Sequence, residues 1–242
     1  MKIISVKDRE EGGKIASKII IDLINKKPDA ALGLATGSSP ESTYDELIKA
    51  YRVGKVSFRN VKTVNLDEYV GLSRSSEQSY RFFMDTKLFS HIDIEYKNTY
   101  LPNGMAEKLS DECNRYDEIV ESLSPVDLQL LGIGHNGHIG FNEPSDSFIK
   151  NTHVVDLSPS TISANSRFFD SVSSVPKQAI TMGTSQIMRA RKIVLLVFGY
   201  EKSEVLYQSL YGDITPLCPA SILQKHDDLV IIADNESLQK VI

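Results

Sequence analysis

Cysteine is scarce in this chain: only Cys113 and Cys218 occur, about a hundred positions apart. That excludes a disulfide framework and a CxxC metal pair. Long apolar runs are also missing. The longest, such as Ile193 to Phe198, fall far short of the roughly 20 apolar residues needed to span a bilayer. The opening MKIISVKDREEGG turns charged before any apolar stretch can serve as a signal peptide. Basic charge is not in excess, since 27 basic residues face 32 acidic ones for a net charge of -5. With no basic stripe, a nucleic-acid partner is not expected. No internal repeat, low-complexity block or long Pro/Gly linker divides the chain. These absences lead to the expectation of a soluble cytoplasmic protein whose 242 residues, 41% hydrophobic and 24% charged, fit one large α/β domain or two small ones.

What is present is an alternation of short apolar runs with helical patterns. Ala30 to Ala35, Lys62 to Leu66, Val126 to Ile133, His153 to Leu157, Lys192 to Phe198 and Asp228 to Ala233 read as strands. Pro40 to Tyr51, Glu107 to Leu123 and Glu201 to Leu210 carry helical spacing. Apolar runs with little polar alternation predict strands covered on both faces. The order predicts an α/β fold, a mostly parallel sheet with right-handed crossovers and helices on both faces. Ligands of such sheets bind outside the carboxyl ends of the strands, so the residues just after each strand are the candidate site.

After the first of these strands comes Thr36-Gly37-Ser38-Ser39-Pro40-Glu41. Glycine permits a tight turn and close backbone approach, and Pro40 suits a first helical position. Hydroxyls of Thr36, Ser38 and Ser39, beside free helix N–H groups, can hold an anion. A Ser cap followed by Pro also starts helices that bind nothing. Without Gly-Lys-Ser/Thr this is no nucleoside-triphosphate loop, and a small phosphorylated metabolite fits better. Lys202 falls at another helix start, where the dipole gives a cation nothing, which makes sense if an anion lies between. Arg167 in Asn165-Ser166-Arg167-Phe168-Phe169 is a second counter-charge. Asp67-Glu68-Tyr69, read as a loop after Lys62 to Leu66, offers a general base, a cation site or a helix cap.

Gly132-Ile133-Gly134-His135-Asn136-Gly137 matches the GxGxxG dinucleotide fingerprint, and Asp156 stands downstream. A dinucleotide site needs a helix starting inside that motif. Here Gly140 and Pro144 stand where the helix should run, so no nicotinamide or flavin cofactor is expected. The loop instead offers Asn136, His138 and Glu143. Histidine exchanges protons near neutral pH, and a carboxylate or amide fixes its tautomer. His135-x-x-His138 is not a helical metal pair, and the HxE…PCxxC zinc deaminase signature is absent.

Four segments together carry a resemblance. They are Leu34 to Pro40, Asn65-Leu66-Asp67-Glu68-Tyr69, the thirteen residues Gly132 to Pro144 and Asn165 to Phe169. In this order, over nearly the whole chain, they resemble the glucosamine-6-phosphate deaminase family. The resemblance implies a modified Rossmann-like domain that uses no cofactor and no metal. It implies His138 as the ring-opening group, with Glu143 and Asn136 as relay partners. Asn136 stands where some members have Asp. Asp67 is implied as the enolisation base. The phosphate is implied to sit on Thr36, Gly37, Ser38 and Ser39, with Arg167 and Lys202.

The reaction so implied turns glucosamine 6-phosphate into fructose 6-phosphate and ammonia, in amino-sugar catabolism. Galactosamine 6-phosphate is an alternative substrate. A 6-phosphogluconolactonase lacks the Asn142-Glu143-Pro144 ending, and a non-catalytic sensor would have lost Asp67 or His138. Longer members carry a C-terminal extension and basic residues after the Asn-Glu-Pro motif that build an activator site between hexamer subunits. This chain ends at Ile242 and has His153 and Val155 at those places. A monomer without such activation is therefore expected.

Overall fold

The computed structural model describes residues 1–241 without the side chain of Phe168; Ile242, the end of the span read as one domain, lies outside the described residues. The chain begins with β1 (Lys2–Val6), α1 (Arg9–Lys26), β2 (Ala31–Leu34), α2 (Glu41–Arg52), β3 (Lys62–Asn65), β4 (Asp67–Tyr69) and α3 (Tyr80–Lys87). The short β5 (Thr99–Tyr100), α4 (Leu109–Leu123), β6 (Leu128–Gly132), β7 (His153–Asp156) and α5 (Pro159–Asn165) follow. Last come β8 (Gln178–Thr181), α6 (Thr184–Met188), β9 (Ile193–Val197), α7 (Ser203–Tyr211) and β10 (Leu229–Asp234).

Seven strands form one sheet in the order β1-β10-β9-β6-β2-β3-β5, and every neighbouring pair is parallel. The apolar runs of β9 and β10 explain its place in the molecule. Ile193, Leu195, Val197, Leu229 and Ile231 point into one core with Tyr116 and Val120 of α4 and Leu206 of α7. Val194, Leu196, Val230 and Ile232 point into the other, with Ile20 of α1 and Tyr44 and Leu47 of α2. Strands apolar on both faces need helices on both faces, which is the predicted α/β architecture.

Two elements depart from the sequence expectation. Asp67-Glu68-Tyr69 is strand β4 and not a loop, because the chain leaves the main sheet at Leu66. It pairs antiparallel with β8, Asp67 opposite Thr181. β7 forms as expected but joins the other side of β8, so β4-β8-β7 make a second, antiparallel sheet. Pro40 is the N-cap residue of α2 instead of its first helical residue, with no side-chain cap bond, so Ser39 does not cap the helix. The unread opening, β1 and the 18-residue α1, buries Val6, Ala16, Ile20 and Ile24, set among many charges. No helix among the described residues is long and apolar enough to cross a membrane.

Candidate active site

From β2 the chain builds outward to β3 and β5, whereas β6 is followed by β9 and β10 on the other side. The crevice between β2 and β6 is therefore the point where strand order reverses, the place such sheets leave open for ligands. A cavity of about 360 Å³ occupies it. Thr36 to Ser39 line it after β2, Asp67 after β3, Gly134, His135, Asn136 and His138 after β6, and Lys202 after β9. Arg167, from the turn that follows α5, lines it as well. Of the ten residues singled out by sequence, Glu143 alone does not face the cavity.

Glu143 stands behind His138. Its Oε2 lies 3.7 Å from His138 Nδ1, with 8% of its side chain and 19% of the histidine's exposed. That nitrogen is buried without a hydrogen bond. Asn136 Nδ2 donates to the same Oε2 at 2.6 Å, its Oδ1 accepts from His138 N at 3.2 Å, and Ser158 N donates to Oε1 at 3.3 Å. Burial pushes the Glu143 carboxyl up, but His138, Thr161 and Asn136 outweigh it and hold it at about 2. An Asn at position 136 donates to the carboxylate, where a second carboxylate would repel it. The imidazole thus has a carboxylate behind Nδ1, which leaves Nε2 to serve the cavity.

The glycines of this loop serve the imidazole. A Cβ on Gly134 would stand only 2.2 Å from the His138 ring. Gly132 closes β6, and no helix begins before α5. The dinucleotide fingerprint is therefore a cradle for a side chain and not for a pyrophosphate.

Asp67 is 5% exposed and Glu68 3%. Burial, helped by the Glu68 carboxylate, raises Asp67 well above the ordinary range. A carboxylate so desolvated is a stronger base than one in water. Glu68 turns the other way and does not face the cavity. It accepts from Tyr69 N and Tyr80 N (2.9 Å each) and Arg81 N (2.9 Å), tying β4 to the start of α3. Burial, opposed by those three bonds, sets it at about 7. Among the described residues, no group of three His, Cys, Asp or Glu side chains is arranged to hold a metal ion.

Gly37 at φ 86° turns the loop after β2 toward the cavity. Lys202 is the N-cap residue of α7. Burial, opposed by Glu201 and assisted by Arg167, lowers its ammonium to about 8. Half-buried Lys202 and exposed Arg167 thus bring two cations to the cavity wall, an arrangement that suits an anion. Sequence reading missed the aromatic wall: Tyr69, Tyr80, Phe141 and Phe169 line the same cavity, with the Tyr80 and Phe141 rings stacked at 5.8 Å and 7°. It missed Arg9 and Phe198 too. Tyr69, Phe141 and Phe169 lie inside the segments quoted above, where nothing marks them as neighbours, and Arg9, Tyr80 and Phe198 lie outside those segments, so only packing brings the six together.

Residues 10–232 match the profile of the family described as glucosamine-6-phosphate isomerases/6-phosphogluconolactonase. A glucosamine-6-phosphate deaminase of Oceanobacillus iheyensis is 52% identical over 100% of this chain and 96% of its own. Glucosamine-6-phosphate deaminase 1 of Bacillus subtilis is 48% identical over 98% of each. Among solved structures, a monomeric glucosamine-6-phosphate deaminase superposes with a TM-score of 0.97 at 47% identity, over 99% of this chain and 100% of that one. A 6-phosphogluconolactonase of Thermotoga maritima shares the fold, with a TM-score of 0.78 at 20% identity over 97% and 99%.

Proposed function

This chain belongs to the glucosamine-6-phosphate isomerase/6-phosphogluconolactonase family, and from that premise we propose that it converts glucosamine 6-phosphate and water to fructose 6-phosphate and ammonia. The relatives that share about half its residues along its whole length are deaminases, whereas the lactonase shares only the fold. One observation carries the reading: a raised buried carboxyl, a carboxylate-backed histidine and a Ser/Thr loop with two cations all meet in one cavity. Residues 1–242 act as one domain, in keeping with the pairing of the first strand, β1, to the last, β10. The protein works as a monomer in the cytoplasm, a state supported by the monomeric relative.

The phosphate sits on Thr36, Gly37, Ser38 and Ser39 with Lys202 and Arg167, which fixes the sugar along the crevice. His138 carries a proton from O1 to the ring oxygen, so that the C1–O5 bond breaks and an open-chain aldehyde forms. Glu143, held ionised by Asn136, stabilises the imidazolium during that transfer. Asp67 then removes the C2 proton while the C1 oxygen takes the proton that the C2 ammonium gives up, giving a neutral enolamine. It returns a proton to C1, leaving an imine at C2. The two carbons are neighbours, so one carboxyl reaches both. Water adds to the imine and ammonia leaves, giving the ketone.

The direct test is ammonia release from glucosamine 6-phosphate, galactosamine 6-phosphate and their N-acetyl forms. Fast release from the first compound alone is expected. Preference for the galacto epimer would move the substrate assignment, and no release from either amine would reject the function.

A further inference from the structure

Arg9 is the first residue of α1, whose N-cap Asp8 accepts from Glu11 N at 2.9 Å. Its Nη1 donates to the Ser38 carbonyl at 3.2 Å, and its guanidinium carbon stands 5.7 Å above the centre of the Phe198 ring. Its own carbonyl accepts from Ser42 Oγ of α2 at 2.9 Å. The side chain therefore bridges the loop after β2 and the end of β9. Arg9, Ser38, Phe198 and Lys202 all line the one cavity.

The partners of this guanidinium are a carbonyl and an aromatic ring, neither of which carries a negative charge. Arg81, Arg115, Arg189 and Arg191 stand beside carboxylates, and Arg52, Arg59 and Arg74 do not line the cavity. Half-buried Arg9 has no carboxylate of the described residues within the 4.0 Å of an ion pair. A guanidinium has five N–H donors in a planar fork that matches phosphate oxygens, and the Ser38 carbonyl takes one of them. An aromatic face under the cation holds it in place and reduces its hydration. An ordered, incompletely satisfied guanidinium on the wall of an anion cavity calls for an anion.

We propose that Arg9 is a substrate-binding residue, donating to the phosphate of the sugar phosphate from the side opposite α7 while it anchors the Ser38 carbonyl. This rests on the function proposed above and deepens it, because it adds a third cation to the phosphate pocket.

The test compares Arg9→Gln and Arg9→Lys with the parent and with Lys202→Ala. KM and kcat are measured on glucosamine 6-phosphate, and inorganic phosphate binding is measured by calorimetry. Arg9→Gln is expected to raise both KM and the phosphate Kd about tenfold, the scale of one charge-assisted hydrogen bond. The effect on kcat should be much smaller, and Arg9→Lys should recover part of the binding. If Lys202→Ala weakens both while Arg9→Gln changes neither, the role of Arg9 is overturned and the proposed function stands. A fall in kcat and thermal stability with phosphate affinity intact would reduce Arg9 to a structural tie and also overturn it. If the parent releases no ammonia, the proposed function fails. The inorganic phosphate arm then still decides Arg9, a tenfold loss supporting it and no loss rejecting it.

Discussion

Asp67 sets a local conflict between stability and chemistry. Burial, helped by the Glu68 carboxylate, lifts its pKa in the folded chain well above the ordinary carboxylate range. The sign follows directly: the folded chain holds the proton more tightly, so ionising the group costs stability once pH rises past about 4, and the full cost is present above the folded value. Asp67→Asn removes that cost. Its melting temperature should exceed the parent's at neutral pH by at least about 2–4 °C, roughly the effect of 1 kcal/mol in a chain of this size. The gain should shrink as pH falls toward 4. Ammonia release should drop at least about a hundredfold, the usual contribution of a general base. Thermal melts across pH, paired with rates, check both halves, and a less stable variant would refute the desolvation argument. Lys202 gives a separate pH signature. Its ammonium is lowered to about 8, chiefly by burial, so a rising pH discharges it and weakens the phosphate site. The alkaline fall of kcat/KM should sit near 8 in the free enzyme and move upward in Lys202→Arg, whose guanidinium stays charged. A pH profile unmoved by that exchange would detach the alkaline limb from Lys202.

At the level of elements, the site is made by loops that leave carboxyl ends of parallel strands at the reversal of strand order. The loop after β6 shows how local sequence serves that placement. Gly134 has no side chain because the His138 ring occupies the space a Cβ would need. Asn136 then ties the loop backbone to Glu143. Gly134→Ala should therefore displace the imidazole while the strands persist. About a hundredfold loss of activity on the cyclic substrate is expected, the weight of one general acid–base group, with an unchanged far-ultraviolet dichroism spectrum. Wild-type rates in that variant would mean that the loop adapts and that the ring position is not critical.

For the whole molecule, the second depression bears on regulation. It measures about 140 Å³ and lies on the far side of Glu143, lined also by His153, Val155 and Asp156. It has two carboxylates and no Lys or Arg on its wall, so an anionic effector would meet repulsion there. A ligand shifts a conformational equilibrium only by its differential affinity for the two states. Initial rates should rise hyperbolically with glucosamine 6-phosphate and stay unchanged by N-acetylglucosamine 6-phosphate apart from competition at the active site. Sedimentation should give a single species near the chain mass of 27.0 kDa. Sigmoidal rates made hyperbolic by the acetylated compound would contradict both expectations.

Sequence alone determined the features that local chemistry fixes. Unbroken apolar runs demanded a sheet covered on both faces. Gly140 and Pro144 excluded the helix a dinucleotide would need, and polar residues after each strand marked the crevice. The tertiary structure decided what depends on distant partners. Asp67 lies on a strand because β8 offers its edge, a pairing that three residues cannot specify by themselves. The aromatic wall and Arg9 entered the site only when α1, α3 and α5 packed over the crevice, since residues that far apart carry no shared periodicity. Charge states were likewise outside the sequence's reach. Asp67 and Glu68 are adjacent acids in the chain, yet one faces the cavity and the other is capped by three backbone N–H groups. That difference comes from burial and hydrogen bonding, which the fold supplies and residue identity does not.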